Sequence, residues 1–313
     1  MNSHRFHQSV LVGEVAQYLV HDPDGTYVDG TVGTGGHSEV IGSGLSPNGK
    51  LICLDRDPDA VRTSKKRLAF MGERVRVVKA NYVALKDVLA EQACDAVNGV
   101  FLDLGMSSYQ LEFSGRGFSF TRNEPLDMRM DPDEESTASE LVNHAAPSEL
   151  VKILKDFGEE KRAKLIVRAI SNARRKSAIV TSSQLAALVK SAFPQAHRAR
   201  RRHPATRTFQ ALRIAVNKEL QNLQTFLDTI PLMIATGGRL VILSYHSLED
   251  RLVKQTMMNW ENPCTCPPEF LHCVCGKPPL FKRLFKKGIK PTAAEIERNP
   301  RARSAVLRAA ERI

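Results

Sequence analysis

Apolar positions along this chain fall into two rhythms. Tyr27-Val28, Leu51-Ile52-Cys53-Leu54, Val75–Val78, Val100-Phe101-Leu102 and Leu240–Leu243 are short apolar runs bounded by glycine, proline or polar residues. Runs of that length and boundary are the mark of strands buried on both faces. They predict strands at 26–29, 50–54, 74–78 and 99–102, with a later one at 239–243. A helix is expected from Pro58 to Phe70, and positions 11, 15, 18 and 19 form one apolar helical face that Pro23 and Gly25 stop. Such α/β alternation predicts a parallel, doubly wound sheet. Near the C-terminus, Leu280–Lys287 and Arg303–Glu311 read as a closing antiparallel pair.

From Ser136 to Phe193 the period changes to about 3.6 residues. Segments 138–145, 149–157, 160–175 and 182–193 each present one apolar face, with Pro147, Gly158 and Thr181 between them. An all-helical block inside an α/β chain is most simply an inserted domain. The expected division is 1–131 for the first part of the core, 132–203 for the insertion and 204–313 for the second part, with a long helix back in the core from Thr206.

Charge changes the picture by suggesting a partner. Against 34 Asp+Glu the chain carries 45 Lys+Arg, a formal net charge of +11. That balance favours a polyanion such as nucleic acid. One dense cluster, His197-Arg198-Ala199-Arg200-Arg201-Arg202-His203, leaves the helical block and is expected to meet phosphates, and the Lys and Arg residues of Leu280–Lys287 and Arg303–Glu311 make a second basic stripe. No apolar run is long enough to span a membrane, and the start of the sequence has no signal-peptide pattern, so a cytoplasmic chain is expected. Of the six cysteines, Cys53 and Cys94 lie in apolar runs and read as buried small hydrophobes. Cys264, Cys266, Cys273 and Cys275 form Cys-x-Cys-x6-Cys-x-Cys, which suits a metal or redox chemistry better than cytosolic disulfides. The spacing departs from Cys-x2-Cys knuckles, a loop of reduced thiols is the alternative, and no metal ligand is assigned.

The candidate chemistry gathers at strand ends. Asp29-Gly30-Thr31-Val32-Gly33-Thr34-Gly35-Gly36-His37-Ser38 follows the first strand and opens a helix, as a cofactor cradle would. Asp55 ends the second strand about twenty residues on, where nucleotide-binding sheets place the acid that takes ribose hydroxyls. A dinucleotide would require Gly-x-Gly-x-x-Gly and a pyrophosphate on the helix N-terminus. An acid at the first strand end disfavours that and suits an ammonium, so the expected ligand is S-adenosylmethionine. The first helix is expected to cover it. Tyr82, past the third strand, is placed to stack on adenine. Asp103, with Ser107 and Ser108, ends the fourth strand at the reactive end, and Ser244-Tyr245-His246 is a further polar strand end.

With these motifs, and with His7–Leu11, Gly115–Phe120, Pro125–Asp131, Tyr245–Arg251 and Asn299–Ser304, the chain resembles the MraW/RsmH methyltransferases of small-subunit ribosomal RNA over nearly its whole length. The resemblance implies a Rossmann-like methyltransferase sheet with an inserted helical domain. It implies methyl transfer from S-adenosyl-L-methionine to the 4-amino group of a cytidine in 16S ribosomal RNA near the decoding centre. It also implies that Gly35, Gly36, His37, Asp55, Tyr82, Asp103 and Gln110 bind the donor. The family usually has Phe where Tyr82 stands, and only some members have the cysteine loop. The partner is then the small-subunit RNA or its assembling particle, with homodimer formation left open.

An amino nitrogen whose lone pair is delocalised needs an acceptor to hold an N–H and take the proton, a task for which Asp103 is placed. Methylation at ring carbon would instead need a thiolate, and Cys264 is the one cysteine preceded by proline. A non-catalytic RNA-binding assembly factor is the rival of a different class, disfavoured by the intact set of donor-site residues.

Overall fold

A computed structural model describes residues 9–193, 203–267, 269–270, 272 and 274–313. The chain divides into two compact units, one running up to Gly105 and resuming with Gln221–Ile313, the other Met106–Leu220.

The first unit is built on a seven-stranded sheet in the order β3-β2-β1-β4-β5-β7-β6. Its strands are β1 Thr26–Asp29, β2 Lys50–Asp55, β3 Val75–Lys79, β4 Val97–Asp103, β5 Ile234–Ser244, β6 Phe281–Arg283 and β7 Val306–Arg312. The first five run parallel, while β7 is antiparallel to both β5 and β6. Strand order reverses at β1, which lies between β2 and β4. In such sheets the ligand crevice opens beyond the carboxyl ends at that point.

Alternation along the strands gives each sheet face its own core. Val28, Ile52, Leu54, Val100, Leu102, Leu240 and Ile242 belong to one apolar cluster, and Tyr27, Leu51, Cys53, Phe101, Val241 and Leu243 to another. The first cluster is closed by α4 (Leu85–Ala90), α11 (Glu219–Thr229) and α12 (Ser247–Glu261), through Leu85, Leu89, Phe226, Val253 and Met257. The second is closed by α1 (Val12–Leu19) and α2 (Gly36–Ser43), through Val15, Leu19 and Ile41. The helix expected from Pro58 is α3, Pro58–Arg67, capped by Asp57.

The second unit holds α5 (Ser108–Glu112), α6 (Ala138–His144), α7 (Pro147–Asp156), α8 (Ala163–Arg174), α9 (Ser182–Ser191) and α10 (Thr206–Val216). Thr137 and Thr181 start α6 and α9 with reciprocal capping boxes. This unit extends beyond the expected 132–203 segment at both ends. Phe118, Leu126, Met128 and Met130 come from the irregular stretch before it, and Phe209, Leu212 and Val216 from α10; all join the helical core. The Asn217 side chain fastens the two additions. Its Oδ1 accepts from the Met130 N–H at 2.7 Å and its Nδ2 donates to the Met128 carbonyl at 2.7 Å. Thus α10 belongs to the helical unit and not, as its position after the insertion suggested, to the sheet core. Lys218, at φ 51°, breaks the expected long helix, and α11 begins afresh at Glu219.

Candidate active site

The glycine turn after β1 is stitched to both neighbouring strands. Gly30 donates its N–H to the Phe101 carbonyl in β4 at 2.9 Å, and Val32 donates to the Leu54 carbonyl in β2 at 2.8 Å. Side chains repeat the pattern. The Asp55 carboxylate accepts the Gly33 N–H at 2.8 Å and the Asp57 N–H at 2.9 Å, while the Thr31 hydroxyl oxygen accepts the Asp103 N–H at 2.6 Å. The turn therefore brings the ends of β2 and β4 to opposite sides of one crevice.

Two glycines are required by what surrounds them. Gly35 caps α2 at φ 82°, a left-handed conformation that other residues adopt only with strain. A Cβ on Gly36 would collide with the Ser9 hydroxyl. Both glycines are thus required by close packing of the turn against Ser9, Ser64 and Arg67 at the N-terminus of α2. Arg67 holds its outer side by donating to Glu39 at 2.6 and 2.9 Å and to the Thr34 carbonyl at 3.4 Å.

The three strand-end aspartates differ in their surroundings. Asp29 is 1% exposed. One of its oxygens accepts the Thr31 N–H at 3.1 Å and the other the Ser38 hydroxyl at 2.6 Å. Burial raises its pKa from 3.8 to about 6, against the Ser38 hydrogen bond. The acid expected to suit an ammonium therefore braces the turn from inside. Asp55 is half-buried, and burial likewise raises it to about 6 despite its two backbone bonds. Its remaining exposure leaves it open to a ligand from the crevice. Asp103 keeps 15% of its side chain exposed.

Two further groups surround Asp103. His37 Nδ1 lies 3.5 Å from its Oδ2, and His37 Nε2 lies 2.9 Å from the Val10 carbonyl. Burial lowers the histidine's pKa. A neutral ring with its proton on Nε2 satisfies Val10, so the approach to Asp103 is a contact of a neutral imidazole and not an ion pair. Tyr245, just past β5, hydrogen-bonds Asp103, and burial followed by the Asp103 charge pushes its ionisation well above the usual phenol range. It therefore stays an O–H donor. Gly105 makes room for its ring, since a Cβ there would lie 2.9 Å from Tyr245 Cε2. The sequence marks 244–246 as a polar strand end without singling out Tyr245, whose place beside Gly105 and Asp103 is a tertiary contact.

Tyr82 follows β3, lies beside Gly30 and meets the Phe226 ring edge-on at 5.4 Å between centroids. Gln110 belongs to the helical unit, where its Oε1 accepts the Ser107 N–H at 3.1 Å and its N–H donates to Ser107 Oγ at 3.1 Å. The site assembled here consists of sheet-unit residues alone. The Ser108 side chain, the start of the His7–Leu11 motif, residues 197–202 of the basic cluster, and Cys273 lie outside the described residues. His203 is described, stacked on Phe120 with ring centroids 4.5 Å apart. Cys53 is fully buried, and burial pushes its thiol far up, so no thiolate nucleophile stands at that strand.

The family model described as the MraW methylase family matches residues 4–313. A ribosomal RNA small subunit methyltransferase H from Desulfosudis oleivorans is 47% identical over 312 residues, covering 98% of this chain and 99% of its own. Proteins of the same name from Geotalea uraniireducens and Symbiobacterium thermophilum are 48% and 45% identical, covering 98% and 97% of this chain and 98% and 95% of theirs.

Proposed function

The chain belongs to the MraW methylase family, and from that premise we propose that it transfers a methyl group from S-adenosyl-L-methionine to the exocyclic 4-amino nitrogen of a cytidine in small-subunit ribosomal RNA. The observation that carries this reading is the glycine turn bonded at once to Asp55 and to the Asp103 backbone, which sets two carboxylates beside one turn. The finer assignments, a cytidine near the decoding centre and the small-subunit RNA or its assembling particle as substrate, rest on the family resemblance.

The donor fits the residues present. Asp55 takes the ribose hydroxyls through the exposed side of its carboxylate, the Tyr82 ring lies against adenine, and Gly35, Gly36 and His37 meet the donor at the start of α2, as the family resemblance implies. Carrying no phosphate, the donor tolerates three aspartates at neighbouring strand ends. When bound, it supplies an electrophilic methyl on a sulfonium and leaves as a neutral thioether.

Asp103 then serves the acceptor. Its carboxylate holds one N–H of the amino group, which turns the nitrogen lone pair toward the methyl carbon, and it receives the proton released as the C–N bond forms. Tyr245 keeps that carboxylate oriented by donating its phenol hydrogen. Neutral His37 fills the space behind without neutralising the acid. Direct attack by nitrogen is favoured over a covalent ring adduct because Cys53, the cysteine within the site's strands, is held as a thiol. The base must leave its stack to reach such a crevice.

The test is to incubate small-subunit particles with the protein and labelled donor, then map the RNA nucleosides by mass. N4-methylcytidine is expected. A methyl on ring carbon, or a trapped adduct with a 5-fluorinated cytidine, would overturn the direct mechanism.

A further inference from the structure

The segment joining α12 to β6 takes no part in the site above, and little apolar burial holds it. Phe270 and Val274 are 53% and 72% exposed. Pro263, Pro267 and Pro279 punctuate it, and no helix or strand is formed among its described residues. Yet the sulfurs of Cys264, Cys266 and Cys275 lie within 4.8 Å of one another. Residues from both arms of the loop thus converge on one point without a core to draw them there.

Two backbone features suit that point to anionic sulfur. The Val274 N–H donates to Cys266 Sγ at 3.3 Å, a bond that stabilises a thiolate. Gly276, immediately after Cys275, has φ 63° and turns the chain away in the left-handed region where glycine is unstrained. In a tetrahedral thiolate site with metal–sulfur bonds of about 2.3 Å, sulfurs stand about 3.8 Å apart, so the three need to close by at most about 1 Å. A disulfide would bring two sulfurs to about 2 Å and leave the third outside.

We propose that Cys264, Cys266 and Cys275 bind a structural zinc ion that fastens this loop. Each thiol loses its proton to solvent as its sulfur bonds the metal, and nothing is oxidised or reduced. Thiolate sulfur selects zinc over the harder divalent cations. The ion supplies the cross-link that a loop with exposed Phe270 and Val274 lacks, and it fixes the course of the chain into the basic stretch from Lys277 to Lys287. Cys273 completes the sequence motif but lies outside the described residues, and the three sulfurs carry the proposal without it.

The experiment uses the full chain purified under reducing conditions without chelator. Elemental analysis should find about one zinc per chain, and cobalt(II) added to the metal-free protein should give thiolate charge-transfer absorption with the visible bands of a tetrahedral ion. The Cys266→Ser and Cys275→Ser variants should lose both, and removing the metal from wild type should open the 262–280 loop to protease cleavage. Donor affinity by calorimetry should stay near wild type in both variants. Substoichiometric zinc with no cobalt band, iron with acid-labile sulfide, metal fully retained by the double variant, or an intact mass lower by about 2 Da from a disulfide would each overturn the site. The cobalt titration is made on wild type, so a variant that fails to fold does not shield the proposal.

Discussion

The ends of β1 and β4 carry the same residue type on adjacent parallel strands and use it in opposite ways. Asp29 is sealed in, with one oxygen holding the Thr31 N–H of the turn that follows and the other the Ser38 hydroxyl of α2. Asp103 keeps part of its carboxylate toward the crevice and has a phenol and a neutral imidazole beside it. A strand-end acid is therefore not by itself a ligand-binding acid. What separates the two is which neighbouring atoms have already taken its lone pairs.

That contrast is sharpest under substitution. Asp103→Ala should lower turnover on small-subunit particles by about 10²–10⁴-fold, the usual worth of a general base or orienting acceptor, while the unfolding midpoint stays near wild type. A variant that keeps most of its turnover would remove Asp103 from the chemistry. Asp29→Ala should show the reverse order, since it removes the acceptor of the Thr31 N–H and leaves the buried Ser38 hydroxyl only the Cys53 sulfur, at about 1–3 kcal/mol for an unsatisfied group. Denaturant unfolding measures it, and a loss of donor affinity without a loss of stability would place Asp29 in the binding role instead.

Asp55 tests the middle ground, being bonded to the turn yet still open to the crevice. Asp55→Ala should weaken donor binding by about 1.5–3 kcal/mol in calorimetry. Because its pKa is raised to about 6, wild-type donor affinity should also decline as pH falls below that value. Unchanged binding in the variant, or a flat pH profile, would count against the ribose assignment. Tyr245→Phe keeps the ring over Gly105 but removes the O–H from Asp103. Its kcat should fall by about tenfold, as for one hydrogen bond to a charged group, with donor affinity little changed; equal losses in both would argue for a purely structural ring.

The smallest expected effect is a slope. Asp29 has a folded pKa of about 6 against an ordinary 3.8, so between those values the folded chain holds a proton that the unfolded chain has released. Its penalty on stability is fully present above about pH 6 and is relieved as pH falls toward 4. Asp29→Asn should remove that component of the pH dependence in denaturant titrations and leave the part owed to Asp55. Identical slopes in variant and wild type would mean that Asp29 is not held at a raised pKa.

Much of this was legible in the chain itself. Apolar runs located the central strands because strands buried on both faces must be continuously apolar, and the helical block announced itself by its 3.6-residue period. The glycine turn and Asp55 could be read from order and spacing, since backbone reach alone constrains where a turn and the next strand end can meet. Other features depended on atoms far apart in sequence. No local pattern showed that Ser38 would reach back to Asp29, that Tyr245 would cross above Gly105 to Asp103, or that Asn217 would draw the aperiodic 116–131 stretch and α10 into the helical core. Nor did the unusual cysteine spacing reveal that three sulfurs converge. Local periodicity reports which face of an element avoids water, whereas the partner of a buried polar group is settled only when the elements pack and each donor must find the acceptor that packing brings near.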